Sequence, residues 1–325
     1  MVRLNFVHTS LVRCMFAGSL ALALTATGTA TAQPQYDGIV VFGTSLSDSG
    51  NAFALRGGSN TPPDYRVDPL LIPDAPYARG GHHFTNGATW VEQFARSRGL
   101  AGTVRPAFQG SSAVATNYAV GAARAYDDGM NVNLSAQVDA FLKTSGGVAS
   151  PRALYVIEMG GNDVRDALVA YPTGHAAVLE QALTSIAANI GRLYGAGARN
   201  FLVWSAPNPG LTPAIRYLDT ITPRTAELAT FLTLAFNRSL AGIVAQWSAA
   251  PGIRIARLDA FALLDEIVAD GNRFGLTDVT TACITPYEAP FACTNPDEFL
   301  FWDGIHPTEA VHGIIAQRVA SVLGR

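Results

Sequence analysis

The sequence is poor in charged residues, which make up 14% of its 325 residues against 49% that are hydrophobic. Disordered chains have the opposite balance, so this composition predicts a chain with ample apolar material for a packed core. The formal net charge is only −3. Because the chain has no basic field to attract phosphates, nucleic acid is not an expected partner.

Residues 1–32 have the pattern of a secretory signal peptide. Two arginines form a positively charged start, an apolar stretch covers residues 15–24, and the small residues Ala30-Thr31-Ala32 end the segment. The apolar stretch is shorter than the about 20 residues that span a bilayer, so cleavage is favoured over an uncleaved anchor. No later stretch is expected to span a membrane. The mature chain, residues 33–325, is therefore predicted to be a single domain that is secreted or periplasmic.

Cysteine is also scarce, with three residues in the whole chain. Cys14 lies in the predicted signal peptide, so Cys283 and Cys293 are the only cysteines of the mature chain. Two cysteines in an exported protein predict one disulfide, with two buried free thiols as the alternative.

The mature chain shows neither an internal repeat nor a linker between two halves. Short apolar runs bounded by turn residues alternate instead with segments of helical period. The runs cover residues 39–42, 153–159, 201–204 and 253–258, and the two longest helical stripes cover residues 178–193 and 228–247. This alternation predicts an α/β fold, a three-layer α/β/α sandwich with a mostly parallel, flavodoxin-like sheet.

Residues 56–87 interrupt the alternation with an irregular stretch rich in glycine and proline. Long irregular stretches in compact domains are usually either functional or mobile loops. Both interpretations stay open, although the position of the stretch directly after a candidate nucleophile favours a substrate-facing role.

Four short blocks carry residues suited to catalysis. Ser45 follows the first predicted strand, at the carboxyl end where open α/β sheets bind ligands. Gly121 offers an unobstructed backbone N–H, and Asn162 supplies an amide donor after the second strand. Asp303 and His306 are close enough in sequence for the carboxylate to orient the imidazole, as the deprotonation of a serine requires. Taken singly, each block also fits an ordinary turn, a helix cap or an inert loop histidine.

In this order the four blocks resemble the GDSL esterases and lipases, also called SGNH hydrolases, and look most like the secreted bacterial lipase and phospholipase branch. One position departs from the family pattern, because Thr44 stands where the family usually has aspartate. That aspartate is not the triad acid, so the departure affects local hydrogen bonding more than the expected activity. The matching stretches are residues 42–51, 117–123, 160–163 and 302–308, and the likeness extends to residues 83–90, 207–213 and 283–301.

The resemblance implies Ser45 as nucleophile, Asp303 as acid and His306 as base. It also implies that Ser45, Gly121 and Asn162 form the oxyanion hole. The expected activity is hydrolysis of ester or lipid substrates through an acyl-enzyme, with no cofactor and no metal. Acyl transfer or glycan O-deacetylation at the same site remains an alternative within catalysis, and an inactive secreted binding protein is the alternative outside it. The acyl length, the alcohol part of the substrate and the oligomeric state are not predicted.

Overall fold

The computed structural model describes residues 1–2, 36–66, 69–110 and 114–324. Nearly all of the predicted signal peptide, including its cleavage site, lies outside the described residues. Its removal therefore stays a prediction.

A four-stranded parallel sheet forms the centre of the domain, with its strands in chain order. The strands are β1 (Ile39–Phe42), β2 (Leu154–Ile157), β3 (Asn200–Trp204) and β4 (Arg254–Leu258). The first three strands are buried along their whole length, whereas β4 at the edge is partly exposed. Parallel strands covered on both faces need continuous apolar runs, which is the pattern that predicted them. The predicted strand bounds differ from the observed ones by at most two residues.

Helices connect the strands and cover both faces of the sheet. The two predicted helical stripes correspond to the two longest helices, α5 (His175–Ala196) and α7 (Thr225–Ser248). The helices are α1 (Asn51–Leu55), α2 (Trp90–Ser97), α3 (Leu134–Thr144), α4 (Gly161–Val169), α5 (His175–Ala196), α6 (Pro213–Ile221), α7 (Thr225–Ser248), α8 (Ala260–Ala269) and α9 (Glu309–Leu323).

Each face of the sheet contributes to its own hydrophobic core, because successive side chains of a strand point to opposite faces. On one face, Phe42 and Tyr155 pack with α3, α4, α5 and α7. On the other face, Val41 and Val156 pack with α2, α8 and α9. This arrangement confirms the predicted three-layer α/β/α sandwich.

Among the described helices, α7 alone is long and apolar enough to cross a membrane by length and composition. From the sequence, no stretch after the signal peptide was judged long and charge-free enough to span a membrane, and by that criterion α7 is an exception. In the structure Leu232, Phe236, Leu240 and Val244 of this helix belong to the core on the first face of the sheet. Packing against the sheet thus accounts for much of its apolar composition.

Two further features bring functional segments to the carboxyl edge of the sheet. Residues 116–120 run beside β1, where Val41 N–H donates to Thr116 O (3.0 Å) and Tyr118 N–H donates to Val41 O (2.8 Å). A separate parallel pair is formed by β5 (Asp278–Ala282) and β6 (Phe299–Phe301). The chain leaves β6 directly into the block that contains Asp303 and His306.

Candidate active site

Three side chains from opposite ends of the chain form a continuous hydrogen-bonded series. Ser45 follows β1, and its Oγ lies 2.8 Å from His306 Nε2. His306 Nδ1 lies 2.6 Å from Asp303 Oδ2, and both of these residues are buried. When Nδ1–H is donated to the carboxylate, Nε2 is free to accept the hydroxyl proton of Ser45. The geometry is therefore suited to activating the serine oxygen as a nucleophile.

The loop after β6 is held in shape by the same carboxylate that orients the histidine. Asp303 Oδ1 accepts backbone hydrogen bonds from Ile305 N–H (2.8 Å) and His306 N–H (2.7 Å). Gly304, directly after Asp303, passes so close to the 56–87 segment that a Cβ would lie 1.7 Å from Leu70 O. The absence of a side chain at Gly304 thus lets the 56–87 segment pack directly against the turn that carries the acid and the base.

Tyr77, from the irregular stretch of residues 56–87, makes a third contact with the acid. Its hydroxyl donates to Asp303 Oδ2 over 2.8 Å, and Tyr65 Oη lies 3.1 Å from Tyr77 Oη. Burial, reinforced by the charge of Asp303, raises the pKa of Tyr77 well above its usual value, so this hydroxyl stays protonated. Tyr77 was not predicted from the sequence, because nothing in a proline-rich loop marks one tyrosine as a partner of a distant aspartate.

The turn that carries the nucleophile rests on two buried polar side chains. Gly43 N–H donates to Gln137 Oε1 (2.8 Å), and Thr44 N–H donates to Glu158 Oε2 (2.9 Å). The Thr44 hydroxyl donates to Glu158 Oε1 (3.0 Å), and the Ser47 hydroxyl donates to Glu158 Oε2 (3.1 Å). Thr44, the position that departs from the family pattern, is therefore matched by a carboxyl group directly beside it.

Glu158 is a second residue that the sequence analysis missed. Burial raises its pKa to about 7, while the hydrogen bonds from Thr44 and Ser47 act in the opposite direction. A signal was present, since Glu158 is the only charged residue in the apolar run of residues 153–159. A lone carboxyl group in a buried strand needs hydrogen-bond partners.

Two of the three expected oxyanion donors have geometries consistent with that role. No described residue accepts a hydrogen bond from Ser45 N–H. One hydrogen of the Asn162 amide is donated to Ala123 O, with Nδ2 at 2.8 Å, which orients the side chain and leaves its second hydrogen available. Both groups lie in the wall of the cavity that contains Ser45 Oγ.

Gly121 has a different hydrogen bond from the one expected. Its N–H donates to the buried carboxylate of Asp48 at 2.8 Å, so it is engaged and not available to an oxyanion. The next amide, Ala122 N–H, has no acceptor among the described residues. Glycine is required at position 121 for another reason, because a Cβ would lie 2.2 Å from the ring of Phe84. The centroid of that ring lies 5.3 Å from the centroid of the His306 imidazole.

Of the histidines in the described residues, His306 alone hydrogen bonds Ser45. His312 is buried, accepts a hydrogen bond from Trp90 N–H (3.1 Å), and has its pKa lowered to about 3 by burial. His83 lies 3.0 Å from Glu92 on α2. Within the same described residues, no group of three or more His, Cys, Asp or Glu side chains is arranged to hold a metal ion.

The predicted disulfide is confirmed, and it lies close to the loop that carries Asp303 and His306. Cys283 and Cys293 are bonded, with Cα atoms 4.9 Å apart. Cys283 N–H donates to Phe301 O (3.0 Å), and Ile284 N–H donates to Trp302 O (3.0 Å). The bridged loop is thereby paired with the segment that leads directly into Asp303.

A cavity of about 260 Å³ lies beside Ser45 and His306, and we call it the catalytic cavity. Ser45, Asn162 and His306 line it together with a largely apolar wall. Two residues of the irregular stretch, Leu70 and Ile72, belong to this wall, which favours the substrate-facing interpretation of that stretch over a purely mobile loop. Other apolar wall residues include Leu46, Leu168, Ile215, Leu218, Leu263 and Ile305.

The chain is similar in sequence to several known proteins. Residues 39–319 match the family model of the GDSL-like lipase/acylhydrolases. A GDSL esterase/lipase of Arabidopsis thaliana is 28% identical, over 87% of this chain and 82% of its own length. The thermolabile hemolysin of Vibrio parahaemolyticus is 24% identical, over 89% of this chain and 65% of its own length. The phosphatidylcholine-sterol acyltransferase of Aeromonas hydrophila is also 24% identical, over 94% of this chain and 95% of its own length.

Among solved structures, an acetylxylan esterase from Geobacillus stearothermophilus is similar with a TM-score of 0.47 and 13% sequence identity. The alignment covers 90% of this chain and 96% of that one. The family model spans both ends of the site, from the strand before Ser45 to the helix after His306. The chain belongs to the GDSL-like lipase/acylhydrolase family, whose members include esterases, lipases and acyltransferases.

Proposed function

We propose that this protein is an exported serine hydrolase that cleaves carboxylic esters through an acyl-enzyme on Ser45. The observation that carries the proposal is the hydrogen-bonded series from Ser45 Oγ through His306 to Asp303, with contacts of 2.8 and 2.6 Å. A serine at neutral pH is a weak nucleophile, and a base oriented by a carboxylate overcomes that weakness.

In the first half-reaction Ser45 Oγ attacks the ester carbonyl carbon while His306 Nε2 takes the hydroxyl proton. The carbonyl oxygen becomes an oxyanion, which accepts hydrogen bonds from Ser45 N–H and the Asn162 amide. His306 then gives its proton to the leaving alkoxide, and the alcohol departs. Asp303 stays ionised and stabilises the imidazolium that forms between these steps.

In the second half-reaction water attacks the acyl-enzyme with His306 as base. The proton taken from water passes to Ser45 Oγ as the carboxylic acid leaves, so the enzyme returns to its starting state. The chain's own residues perform each of these steps, and no cofactor takes part in the proposal.

Export is the second element of the proposal. Residues 1–32 act as a cleaved signal peptide, and the disulfide between Cys283 and Cys293 is of the kind that persists in oxidising compartments. Mass spectrometry of protein recovered from the periplasm or medium tests this point. A mature N-terminus at Gln33 supports export with cleavage, whereas an intact chain retained in the cytoplasm contradicts it.

Acyl transfer is the second candidate activity. A largely apolar cavity beside Ser45 favours it, because an alcohol bound there in place of water would receive the acyl group. Product analysis with added alcohol separates the two activities: free acid identifies a hydrolase and a new ester identifies a transferase. An acetylated glycan in the substrate panel tests the deacetylase alternative.

The direct test of the nucleophile is Ser45→Ala. We expect the variant to fold, to lose labelling by a serine-reactive phosphonate, and to lose about 10⁶-fold in kcat if the three residues act as a unit. Asp303→Asn is expected to cost about 10⁴-fold, because the wrong histidine tautomer is then favoured.

Ser47→Ala is the matched control, since Ser47 contacts Glu158 and Trp90 but not His306. It is expected to remain labelled. Labelling of Ser45→Ala, or its loss only in Ser47→Ala, contradicts the assignment. A wild-type protein that takes up no phosphonate and cleaves no ester in a broad panel supports the inactive binding protein instead.

A further inference from the structure

The catalytic cavity contains a cationic side chain for which ester hydrolysis has no use. Arg165 lies on α4 and, among the described residues of the cavity wall, is the only arginine or lysine. It follows Asn162 by three residues, and residues at this spacing are neighbours on one face of a helix. Asn162, the proposed oxyanion donor, and Arg165 therefore line the same cavity, about one helical turn apart.

The guanidinium of Arg165 has no partner within the described part of the chain, although the residue is partly buried. Burial lowers the pKa of Arg165, nearby Arg124 lowers it further, and Asp166 acts in the opposite direction. An unpaired charge beside apolar surface is costly unless an opposite charge or water compensates it. The residue thus has five N–H donors that the folded chain leaves unused.

Neither of the two acidic residues nearest in sequence forms an ion pair with Arg165 among the described contacts. Asp166 accepts from Arg124 Nε (2.7 Å) and Nη2 (3.0 Å) and from the hydroxyl of Tyr126 (2.8 Å). Asp163 is buried and accepts from Ala125 N–H (2.8 Å) through Oδ1, whereas its Oδ2 has no hydrogen-bond partner among the described residues. Because Arg124 pairs with Asp166, Arg165 is left without an ion pair among the described residues, while it lines the catalytic cavity.

We propose that Arg165 forms an anion subsite of the catalytic cavity, which selects esters carrying a phosphate or carboxylate group within a few bonds of the scissile carbonyl. A guanidinium binds either group through two parallel hydrogen bonds. The apolar remainder of the wall receives a hydrocarbon part of the same molecule. The preferred substrate is then an amphipathic anionic ester. This inference rests on the proposed hydrolase function and adds a substrate class to it.

The test compares matched ester pairs that differ in the anionic group. Decanoyl glycerophosphate and monodecanoylglycerol place a phosphate, or no charge, on the alcohol side. Nitrophenyl hemisuccinate and nitrophenyl butyrate do the same with a carboxylate on the acyl side. We expect the wild-type protein to prefer the anionic member of at least one pair, and which pair responds identifies the source of the anion.

Arg165→Gln is expected to lower kcat/KM for the preferred anionic ester by about 10- to 100-fold and to change the neutral ester by less than about 3-fold. Arg165→Lys is expected to fall between the two proteins, because it keeps the charge but not the paired donors. Arg238→Gln is the matched control, since Arg238 is exposed on α7 and outside the cavity wall. The wild-type preference is also expected to weaken as ionic strength rises.

An equal loss on charged and neutral esters in Arg165→Gln overturns the subsite, since it marks a structural role. An unchanged preference in both pairs overturns it as well. Both results leave the hydrolase function intact, because activity on neutral esters persists. If the wild-type protein cleaves none of the four esters and takes up no phosphonate, the proposed function itself fails.

Discussion

Tyr77 and His306 donate hydrogen bonds to the same oxygen of Asp303, over 2.8 and 2.6 Å. The acid of the proposed triad is therefore held from two sides, by the base and by a tyrosine from the irregular stretch before α2. Because Asp303 is completely buried, these donors take the place of water around its charge. This relationship links a loop of little regular structure to the chemistry of the site.

We expect Tyr77→Phe to lower kcat by about 10- to 100-fold, since a hydrogen bond to a buried charged group typically contributes about 1.5–3 kcal/mol. Steady-state kinetics on a short-chain ester measure the effect. Tyr65→Phe is the control, because Tyr65 hydrogen bonds Tyr77 and not Asp303 in the described contacts. Equal losses in both variants point to packing of the loop and not to the contact with Asp303.

Asn162→Ala is expected to lower kcat by about 10²- to 10³-fold with little change in KM, because the amide acts mainly on the transition state. The Asn162 side chain also donates to Ala123 O, so thermal unfolding of the variant must be measured alongside its kinetics. A change confined to KM identifies Asn162 as a ground-state binding group and contradicts the oxyanion role.

Glu158 predicts a specific dependence of stability on pH. Its pKa in the folded protein is raised from an ordinary value of 4.5 to about 7, mainly by burial. Between these values the folded protein holds the proton more tightly than the unfolded chain, so stability is lost as pH rises through this window. The shift corresponds to about 3 kcal/mol at most.

Denaturant unfolding of the wild type and of Glu158→Gln, from about pH 4 to about pH 8, measures this contribution as the difference between the two proteins. We expect the wild type to lose more stability over the range than the variant does. Parallel curves for the two proteins mean that Glu158 does not titrate there.

The pairing of Thr44 with Glu158 predicts a second result. Thr44→Asp puts a second carboxyl group where the Thr44 hydroxyl now lies 3.0 Å from Glu158 Oε1, and two carboxyl groups this close disfavour each other's ionised form. We expect the single variant to be destabilised and Thr44→Asp/Glu158→Gln to recover most of the loss, with a coupling energy of about 1–3 kcal/mol.

Thr44→Ser keeps the hydroxyl and is the matched control for that cycle. It is expected to unfold close to the wild-type denaturant concentration. If Thr44→Asp alone is as stable as the wild type, the two positions are not coupled and the contact with Glu158 does not account for threonine at this position.

The disulfide predicts a link between stability and activity. Replacing Cys283 and Cys293 by serine is expected to cost up to about 3 kcal/mol, since the bridge closes a short loop. Activity is expected to fall before global unfolding, because the bridged segment is hydrogen bonded to Phe301 and Trp302 just before Asp303. Activity and circular dichroism recorded against temperature check this order. If activity depends on temperature in the same way in the wild type and the variant, the bridge does not support the active site.

Much of the fold was predictable because its signals are local. Buried strands such as β1 show continuous apolar runs, and the stripes of α5 and α7 repeat with the helical period. Asp303 and His306 were identifiable as a pair because a single turn brings them together. The disulfide was equally readable, because Cys283 and Cys293 are the only cysteines of the predicted exported chain.

The remaining parts of the site depend on contacts between distant segments, for which a single sequence has no periodic signal. Tyr77 and Asp303 are 226 positions apart, and Thr44 and Glu158 are 114 apart. The N–H of Gly121 was expected to face an oxyanion, but packing places it against Asp48. The amino-acid sequence determined the layers, the order of the blocks and the turn that joins acid to base. Only the tertiary structure decided which buried carboxyl group meets which donor, because that depends on how the loops pack over the carboxyl ends of the strands.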